Sequence, residues 1–199
     1  RIVGLYIICK WKEAYFVKEV QPIRSKKQLA NMKALLKNKG DKYYIMFLVG
    51  INSGLRVSDC LNLKVADVIG REHIVITEKK TGKTKRFVLH PEIRKEIQDF
   101  VDKYKLSENT YLIKSRQGGN KPISRVRAYC VLNECATSLG LDSIGTHTMR
   151  KTFGYWYYQK TKNIEYLQYI FNHSSPSITL RYIGITQDRI DASLADFRL

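Results

Sequence analysis

Apolar residues recur at helical spacing along most of the chain, and each run is bounded by residues that start or end helices. Ser25 and Gln28 form a capping box before the first run, and Gly40 supplies its end. The same reading predicts further helices over about 43–52, from 58, from 91, over 124–140 and 146–160, from 163, from 176 and from 186.

Two short apolar stretches, 73–77 and 86–89, flank the Gly-containing connection 79–84, which is typical of a β-hairpin. Residues 111–113 are also apolar, and we expect them to add a third strand. The predicted fold class is therefore α+β, mainly α, with a small antiparallel three-stranded sheet. We interpret residues 1–24 as a linker or N-terminal remnant and 25–199 as one folded domain.

The charge balance points to a polyanionic partner. The chain has 35 Lys and Arg against 18 Asp and Glu, a formal net charge of +17 in 199 residues. A basic surface binds phosphates largely by releasing their counterions, so nucleic acid is the first expectation and a membrane surface the second. No run approaches the roughly 20 apolar residues that span a bilayer, and we expect no membrane association.

The cysteines and histidines indicate neither a metal centre nor a disulfide framework. Cys9, Cys60, Cys130 and Cys135 include no C-x-x-C pair, and the four histidines form no ligand cluster with them. We expect reduced thiols in a cytoplasmic protein without a bound metal.

Charge is unevenly distributed near the middle and the end of the chain. Residues 114–127 contain five cations and no acid, and these are candidate phosphate contacts: Lys114, Arg116, Lys121, Arg125 and Arg127. The segment 188–199 instead sets Arg189 and Arg198 against Asp188, Asp191 and Asp196, and it places Ile190, Leu194 and Phe197 on one helical face. That face requires a protein surface, either on its own domain or on another subunit.

Short motifs elsewhere carry side chains suited to phosphodiester chemistry. His147 and Arg150 are spaced i, i+3 on a predicted helix, which places an imidazole beside a guanidinium. Arg56 lies between two predicted helices, where Asp59 can hold its guanidinium. Taken alone, each pair is also typical of a structural contact.

A third motif separates His173 from Tyr182 by nine positions across a Pro-initiated turn. In order, the motifs resemble those of the tyrosine recombinase catalytic domain, the phage integrase family, from about residue 21 to the C-terminus. That family carries G-L-R-x-S-[DE], matched at 54–59, a hairpin Lys, matched by Lys80, then H-x-x-R and G-H-x(8)-Y. Asn172 stands where the family usually has Gly, and Asn can also adopt left-handed backbone angles.

The resemblance implies a covalent mechanism. Tyr182 would attack a DNA phosphodiester, expel the 5′ hydroxyl and form a 3′-phosphotyrosyl bond, and neither ATP nor a metal would be required. His147 is the candidate base for the phenol. Arg56, Arg150 and His173 would donate to the phosphate.

The hairpin lysines complete the predicted site. Lys80 would protonate the departing 5′ oxygen. Lys79 and Lys83 flank it and are expected to contact DNA. The choice among the three rests on register alone, and cleavage that survived Lys80→Ala but not Lys83→Ala would correct it.

The resemblance also implies partners. These are double-stranded DNA and a homotetramer assembled on it, in which the tail beyond Tyr182 docks on a neighbour, with a place for accessory DNA-bending proteins. We expect a bacterial or phage-encoded, nucleoid-associated protein. Larger members add an N-terminal DNA clamp, so we expect either a catalytic fragment or a member without the clamp.

Two other interpretations stay open at the level of sequence. The same chemistry serves a type IB topoisomerase-like nicking and closing enzyme or a hairpin-end resolvase. A different class is a catalytically silent basic DNA-binding module, in which Tyr182 belongs to the core.

Overall fold

A computed structural model describes residues 19–77, 82, 84–195 and 197–198. These form a mainly helical domain with one small sheet, as the hydrophobic pattern predicts. The helices are α1 Lys26–Lys39, α2 Asp41–Ser53, α3 Val57–Leu61, a 3₁₀ turn Val65–Asp67, α4 Pro91–Tyr104, α5 Arg125–Thr137, α6 Thr148–Thr161, α7 Ile164–Phe171, α8 Pro176–Tyr182 and α9 Ile185–Leu194.

Side-chain caps start several helices where the sequence predicts them. Ser25, Ser124 and Asn163 each accept a hydrogen bond from a backbone N–H in the first turn. Pro91 and Pro176 occupy the first position of α4 and α8, where the missing N–H has no cost.

Several predicted boundaries are shifted. The N-cap of α6 is His147, not Thr146, because the Thr148 hydroxyl accepts from the N–H of Gly145 and organises the preceding turn. The N-cap of α3 is Arg56, so the helix begins one residue before Ser58. Both catalytic-motif residues therefore lie at helix starts.

The sheet has two strands in the described residues, β1 His73–Thr77 and β2 Thr84–Val88, paired antiparallel with Thr77 opposite Thr84. The expected third strand at 111–113 is wrong. Leu112 donates to the Leu63 carbonyl, and Ile113 accepts from Ile123, so this segment pairs with two loops instead of the hairpin. Each pairing stops at an isolated bridge.

The apolar side chains form two clusters. The larger packs α1 to α5 with the sheet around buried residues such as Met32, Phe47 and Ile97. The smaller joins α6 to α9 through Leu167, Phe171 and Ile183. Because every side chain of the smaller cluster comes from the C-terminal third, this cluster sets the positions of Tyr182 and its neighbours.

The chain on either side of the domain differs in packing. Residues 19–24 lie along α6, and Ile23 is fully buried there. In α9 the predicted apolar face is exposed, with Ile190 at 45%, Leu194 at 57% and Phe197, just beyond the helix, at 64% exposure. The described part of the chain therefore leaves these three side chains uncovered.

Within the ranges described above, no helix combines the length and the hydropathy needed to cross a bilayer.

Candidate active site

The nucleophile and base predicted from the sequence are in contact. Tyr182 is the last residue of α8, and His147 caps the start of α6. His147 Nδ1 lies 3.2 Å from the Tyr182 hydroxyl oxygen. When the imidazole carries its proton on Nε2, the hydroxyl donates to Nδ1, which is the geometry a general base requires.

Arg150 is a buried cation of the site, with 6% of its surface exposed. Its guanidinium donates to the carbonyl of Gly54 and, at 3.2 Å, to that of Phe171. It also lies 4.3 Å from the centre of the Phe171 ring. Arg150 thereby joins the end of α2 to the end of α7, and the carbonyls fix the direction of its remaining donors.

The approach of Arg150 to residue 54 depends on glycine. Gly54 ends α2 at φ 65°, in the left-handed region. A Cβ at this position would overlap the Phe153 ring. A side chain there would therefore be strained in its backbone and would push α6 away from the site.

His173 is placed by a left-handed helix end. Asn172 adopts φ 57° after α7, so the prediction that Asn substitutes for Gly in this conformation is confirmed. The His173 N–H donates to the Gln168 carbonyl at 3.1 Å, which completes a Schellman motif. The His173 ring then lies 5.0 Å from the Tyr182 ring, and Nδ1 is 3.1 Å from the Thr179 hydroxyl.

Arg56 adds a second positive charge from the N-cap of α3, where it is exposed. Its charge lowers the pKa of His147, His173 and Tyr182, so it lies within electrostatic range of all three. Asp59 accepts a hydrogen bond from the Ser58 hydroxyl at 3.4 Å. The proposed support of Arg56 by Asp59 stays a prediction.

The protonation states follow from burial and the nearby cations. Burial lowers the pKa of both His147 and His173, and the charges of Arg150 and Arg56 lower them further. Burial raises the pKa of the Tyr182 phenol, which Arg150 and Arg56 partly oppose. At neutral pH the site therefore holds two neutral imidazoles and a protonated phenol.

The three predicted hairpin lysines, Lys79, Lys80 and Lys83, lie outside the described residues. Lys85 on β2 is described, and it belongs to none of the sequence motifs. Its ammonium donates to the carbonyls of Tyr169 and Ile170, both at 3.2 Å. The alternation of β2 places residue 85 on the same buried face as Phe87, a signal available in the sequence.

Lys151 is a second cation that the motifs did not indicate. It follows Arg150 in α6, is buried, and places its ammonium 4.9 Å from the centre of the Tyr182 ring. A buried lysine beside a motif arginine gives no periodic signal in a single sequence.

The basic segment 114–127 lines an open cleft of about 700 Å³. Arg116, Lys121 and Arg127 lie there, together with Lys39 and Lys42, which lie outside the basic segment predicted from the sequence. Lys114 and Arg125 are exposed at the edges of this region. The five cations of the cleft come from two regions that are distant in the chain, residues 39–42 at the junction of α1 and α2 and residues 116–127 at the start of α5.

One aromatic side chain organises the cleft. The Arg127 Nε donates to the Tyr43 hydroxyl at 3.2 Å, and the guanidinium lies 5.6 Å from the ring centre. Lys42 donates to the Lys114 carbonyl at 3.1 Å. These contacts hold the cleft cations in place while their outer surfaces stay exposed to a ligand.

The central arrangement is suited to nucleophilic substitution at a phosphate. It offers a phenol, a neutral base and two guanidinium groups around one site. Among the described side chains, no three His, Cys, Asp or Glu residues are grouped as metal ligands would be.

The fold is that of a tyrosine recombinase catalytic domain. It superposes on the XerA recombinase with a TM-score of 0.69 at 18% identity, covering 94% of this chain and 67% of that one. The XerH site-specific recombinase, bound to a palindromic difH substrate in a post-cleavage complex, gives 0.70 at 16% identity, covering 89% and 54%.

Residues 23–189 match the phage integrase family, and the chain belongs to that family. A curated relative, the probable integrase/recombinase YoeC of Bacillus subtilis (strain 168), is 49% identical over 178 residues, which cover 89% of this chain and 97% of YoeC. By contrast, the chain spans about half the length of more distant relatives, such as 47% of a probable integrase/recombinase of Acholeplasma phage L2.

Proposed function

We propose that this protein is a site-specific DNA recombinase or integrase that cleaves and rejoins strands through a 3′-phosphotyrosyl intermediate. The observation that carries this proposal is the contact between His147 and the Tyr182 hydroxyl, beside the buried Arg150. The proposed catalytic unit spans 25–199, with residues 19–24 packed on it.

Proton removal from Tyr182 is the first requirement. A phenol of pKa about 10 is ionised to about one part in a thousand at pH 7, which corresponds to about 4 kcal/mol, and burial of Tyr182 adds to this. His147 is neutral at this pH and accepts the proton as the phenol oxygen bonds to phosphorus. The low pKa of His147 therefore keeps it in the form that acts as a base.

Stabilisation of the negative charge on the non-bridging phosphate oxygens is the second requirement. In our proposal, Arg150 and Arg56 donate to these oxygens and His173 adds a hydrogen bond. Removal of one such donor costs about 3 kcal/mol in other enzymes. The bond from phosphorus to the 5′ oxygen breaks as the Tyr182 bond forms, so the phosphate stays a diester and retains the energy of the broken link.

The 5′ oxygen leaves with a proton, and we assign Lys80 as the donor. The support is its match to the family's hairpin lysine. A substrate with sulfur in place of the 5′ oxygen tests the assignment, because a thiolate leaves without a proton. Lys80→Ala should cleave the oxygen substrate poorly and the sulfur substrate well, whereas Lys83→Ala should not distinguish them. The reverse pattern would move the role to Lys83.

Duplex DNA is the proposed substrate. The net charge of +17 and the cleft containing Arg116, Lys121 and Arg127 support it. Lys114 and Arg125 at the edges extend the same surface, and Lys79 and Lys83 are assigned to DNA from the hairpin. Phosphate contacts of this kind determine affinity and position, and they contribute little to the choice of sequence.

Trapping on a nicked suicide substrate tests the chemistry. After cleavage, the short fragment that carries the 5′ hydroxyl diffuses away, so the covalent complex accumulates. Wild type should give an adduct that survives denaturation, and Tyr182→Phe should bind the same DNA without one. A silent DNA-binding module would give no adduct with either protein.

A tetramer on paired sites is the proposed assembly, with accessory DNA-bending proteins as further partners and nucleoid DNA in the cytoplasm as its location. The exposed face of α9 supports docking between subunits. Ile190→Ser with Leu194→Ser should preserve suicide cleavage but reduce recombination between paired sites. Unchanged recombination would remove that role from α9.

Plasmid relaxation separates recombination from a topoisomerase-like activity. We expect recombination products from paired sites and only weak, site-dependent relaxation of a plasmid with one site. Efficient relaxation of plasmids that lack a site would favour the nicking and closing enzyme.

A further inference from the structure

Lys151 is the most deeply buried ammonium near the candidate nucleophile, with 6% of its side chain exposed. Lysine is rarely buried to this extent unless it is paired, because removing the charge from water is costly. Its partner is Glu19, whose carboxylate lies 2.6 Å away and is itself 64% exposed. The carboxylate compensates the charge without drawing the ammonium out of the interior.

The Lys151 ammonium also contacts the ring of Tyr182. Nζ lies 4.9 Å from the ring centre, within cation–π range. The Phe171 ring packs edge-on against the same tyrosine at 5.5 Å, and His173 does so at 5.0 Å. Lys151 is therefore one of three side chains that pack around the Tyr182 ring and fix its plane. The hydroxyl oxygen of this ring contacts His147.

Glu19 is held by a regular set of contacts. Its segment, 19–24, runs along α6. Gln21 accepts from the Thr148 hydroxyl at 3.0 Å, and the Ile23 N–H donates to the Thr152 hydroxyl at 2.9 Å. Thr148, Lys151 and Thr152 share one helical face, so the segment follows α6 and delivers the carboxylate to Lys151.

The same segment also reaches the helix after the nucleophile. Arg24 forms an ion pair with Asp188 of α9 at 2.9 Å. The segment thus connects the helix that carries His147 and Arg150 to the region that carries Tyr182. A change in Glu19 would act on the site through Lys151.

We propose that Lys151, held by Glu19, is a positioning residue for the nucleophile, and that its ammonium fixes the Tyr182 ring and stabilises the negative charge that its oxygen gains during attack. This inference rests on the proposed function, since it requires Tyr182 to be the attacking group. A cation against a ring attracts a phenolate more strongly than a phenol, so the contact strengthens along the reaction.

Several charged or titratable groups surround Tyr182, and a test must separate Lys151 from them. From α6 they are His147, Arg150 and Lys151; from the other packed elements they are Arg56, His173 and Glu19. Lys151→Met keeps nearly the same side-chain length but removes the ammonium, its hydrogen bond to Glu19 and a charge that lowers the pKa of His147. Lys160→Met makes the same substitution at an exposed position of the same helix.

Single-turnover cleavage of the suicide substrate should be about 10-fold slower for Lys151→Met at pH 7. The deficit should shrink as the pH rises and the phenol ionises more readily. Lys151→Arg should recover most of the rate, and Lys160→Met should match wild type. An unchanged Lys151→Met rate, or an equal loss at every pH that Arg does not rescue, would overturn the proposal.

Glu19→Gln provides a second variant in case Lys151→Met folds poorly, since the Glu19 side chain is mostly exposed. We expect about a 3-fold slower cleavage with DNA binding unchanged, because the ammonium loses its anchor but not its charge. A cleavage rate equal to that of wild type would overturn the proposal that Glu19 holds Lys151 in place.

A readout without DNA distinguishes this inference from the proposed function. With 3-fluorotyrosine in place of tyrosine, the Tyr182 fluorine resonance can be assigned by its loss in Tyr182→Phe. Lys151→Met should change its chemical shift and move its titration midpoint upward. An unmoved resonance would overturn the inference even if wild type cleaves DNA. A moved resonance without any DNA adduct would overturn the proposed function and, with it, the part of the inference that concerns attack, while the contact between Lys151 and Tyr182 would stand.

Discussion

Two regions of this molecule concentrate positive charge, and they differ in burial. In the candidate active site, Arg150 is 6% exposed, and backbone carbonyls and the Phe171 ring fix its direction. In the cleft, Arg116, Lys121 and Arg127 are exposed along a broad surface. Burial fixes the direction of the guanidinium donors, which matters when they must meet the oxygens of a transition state. Exposed cations need no fixed direction to attract a polyanion, because their charge alone is sufficient.

Replacement of an arginine by lysine should therefore have a large effect on cleavage in the candidate active site and almost none in the cleft. Arg150→Lys should slow single-turnover cleavage by about 100-fold to 1,000-fold at saturating DNA, because an ammonium cannot reproduce the planar set of donors. Arg116→Lys should leave both cleavage and DNA affinity near wild type, since a point charge serves an exposed phosphate contact. Melting temperatures of both variants would show that the fold is intact.

A cleavage rate for Arg150→Lys within a few-fold of wild type would contradict the comparison. The buried guanidinium would then be a structural clamp between α2 and α7, without a role at the phosphate.

His147 gives the next largest effect. His147→Gln should slow cleavage by about 100-fold, as loss of a general base does elsewhere. The pKa of His147 is lowered, so the base is neutral at pH 7 and becomes protonated only as the pH falls below about 6.5. Wild-type cleavage should therefore decline in that acidic range, and His147→Gln should lose the part of the decline that His147 causes.

His173 also has a lowered pKa and contributes to the same limb of the profile. His173→Gln is the matched control. If the acid limb survived in His147→Gln and vanished in His173→Gln, the base would have to be reassigned.

The cleft should change binding without changing chemistry. Arg116→Ala and Lys121→Ala should each weaken DNA binding several-fold and lower the salt dependence of log K by about one per lost phosphate contact. Cleavage at saturating DNA should be unaffected. Lys105→Ala, an exposed cation at the end of α4 and outside the cleft, is the control. Equal losses for all three would mean that net charge alone binds DNA.

Tyr43→Phe should give the smallest effect. It removes the hydroxyl that accepts from Arg127 but keeps the ring beneath the guanidinium. We expect about a 2-fold loss of affinity, measured by fluorescence anisotropy, because one partly exposed hydrogen bond is lost. A loss as large as that of Arg127→Ala would show that the hydroxyl itself contacts the ligand.

The sequence predicts the parts of the fold that local rules determine. Ser25, Ser124 and Asn163 are caps in the structure because each can satisfy a backbone N–H within its own turn. The prediction of a third strand at 111–113 is wrong, because an apolar triplet does not specify which backbone it pairs with. That choice is tertiary and is made by Leu63 and Ile123.

The candidate site also divides into residues that local motifs identify and residues that only tertiary packing brings to the site. The motifs contain His147, Arg150, His173 and Tyr182 in order, and the structure brings them together. Strand alternation places Lys85 on the inner face of β2, but neither the carbonyls that Lys85 binds nor the ring beside Lys151 can be identified before the chain folds. The grouping of Lys39 and Lys42 with Arg127 likewise depends on packing between α1, α2 and α5.

The covalent mechanism can be tested by identifying the side chain that is bonded to cleaved DNA. The trapped complex is digested with protease and nuclease, and the nucleotide-bearing peptide is sequenced by mass spectrometry. We expect a 3′ phosphate on Tyr182. The same mass on any of the other 12 tyrosines among the 13 in the chain, or no such peptide from DNA that the protein cleaves, would contradict it.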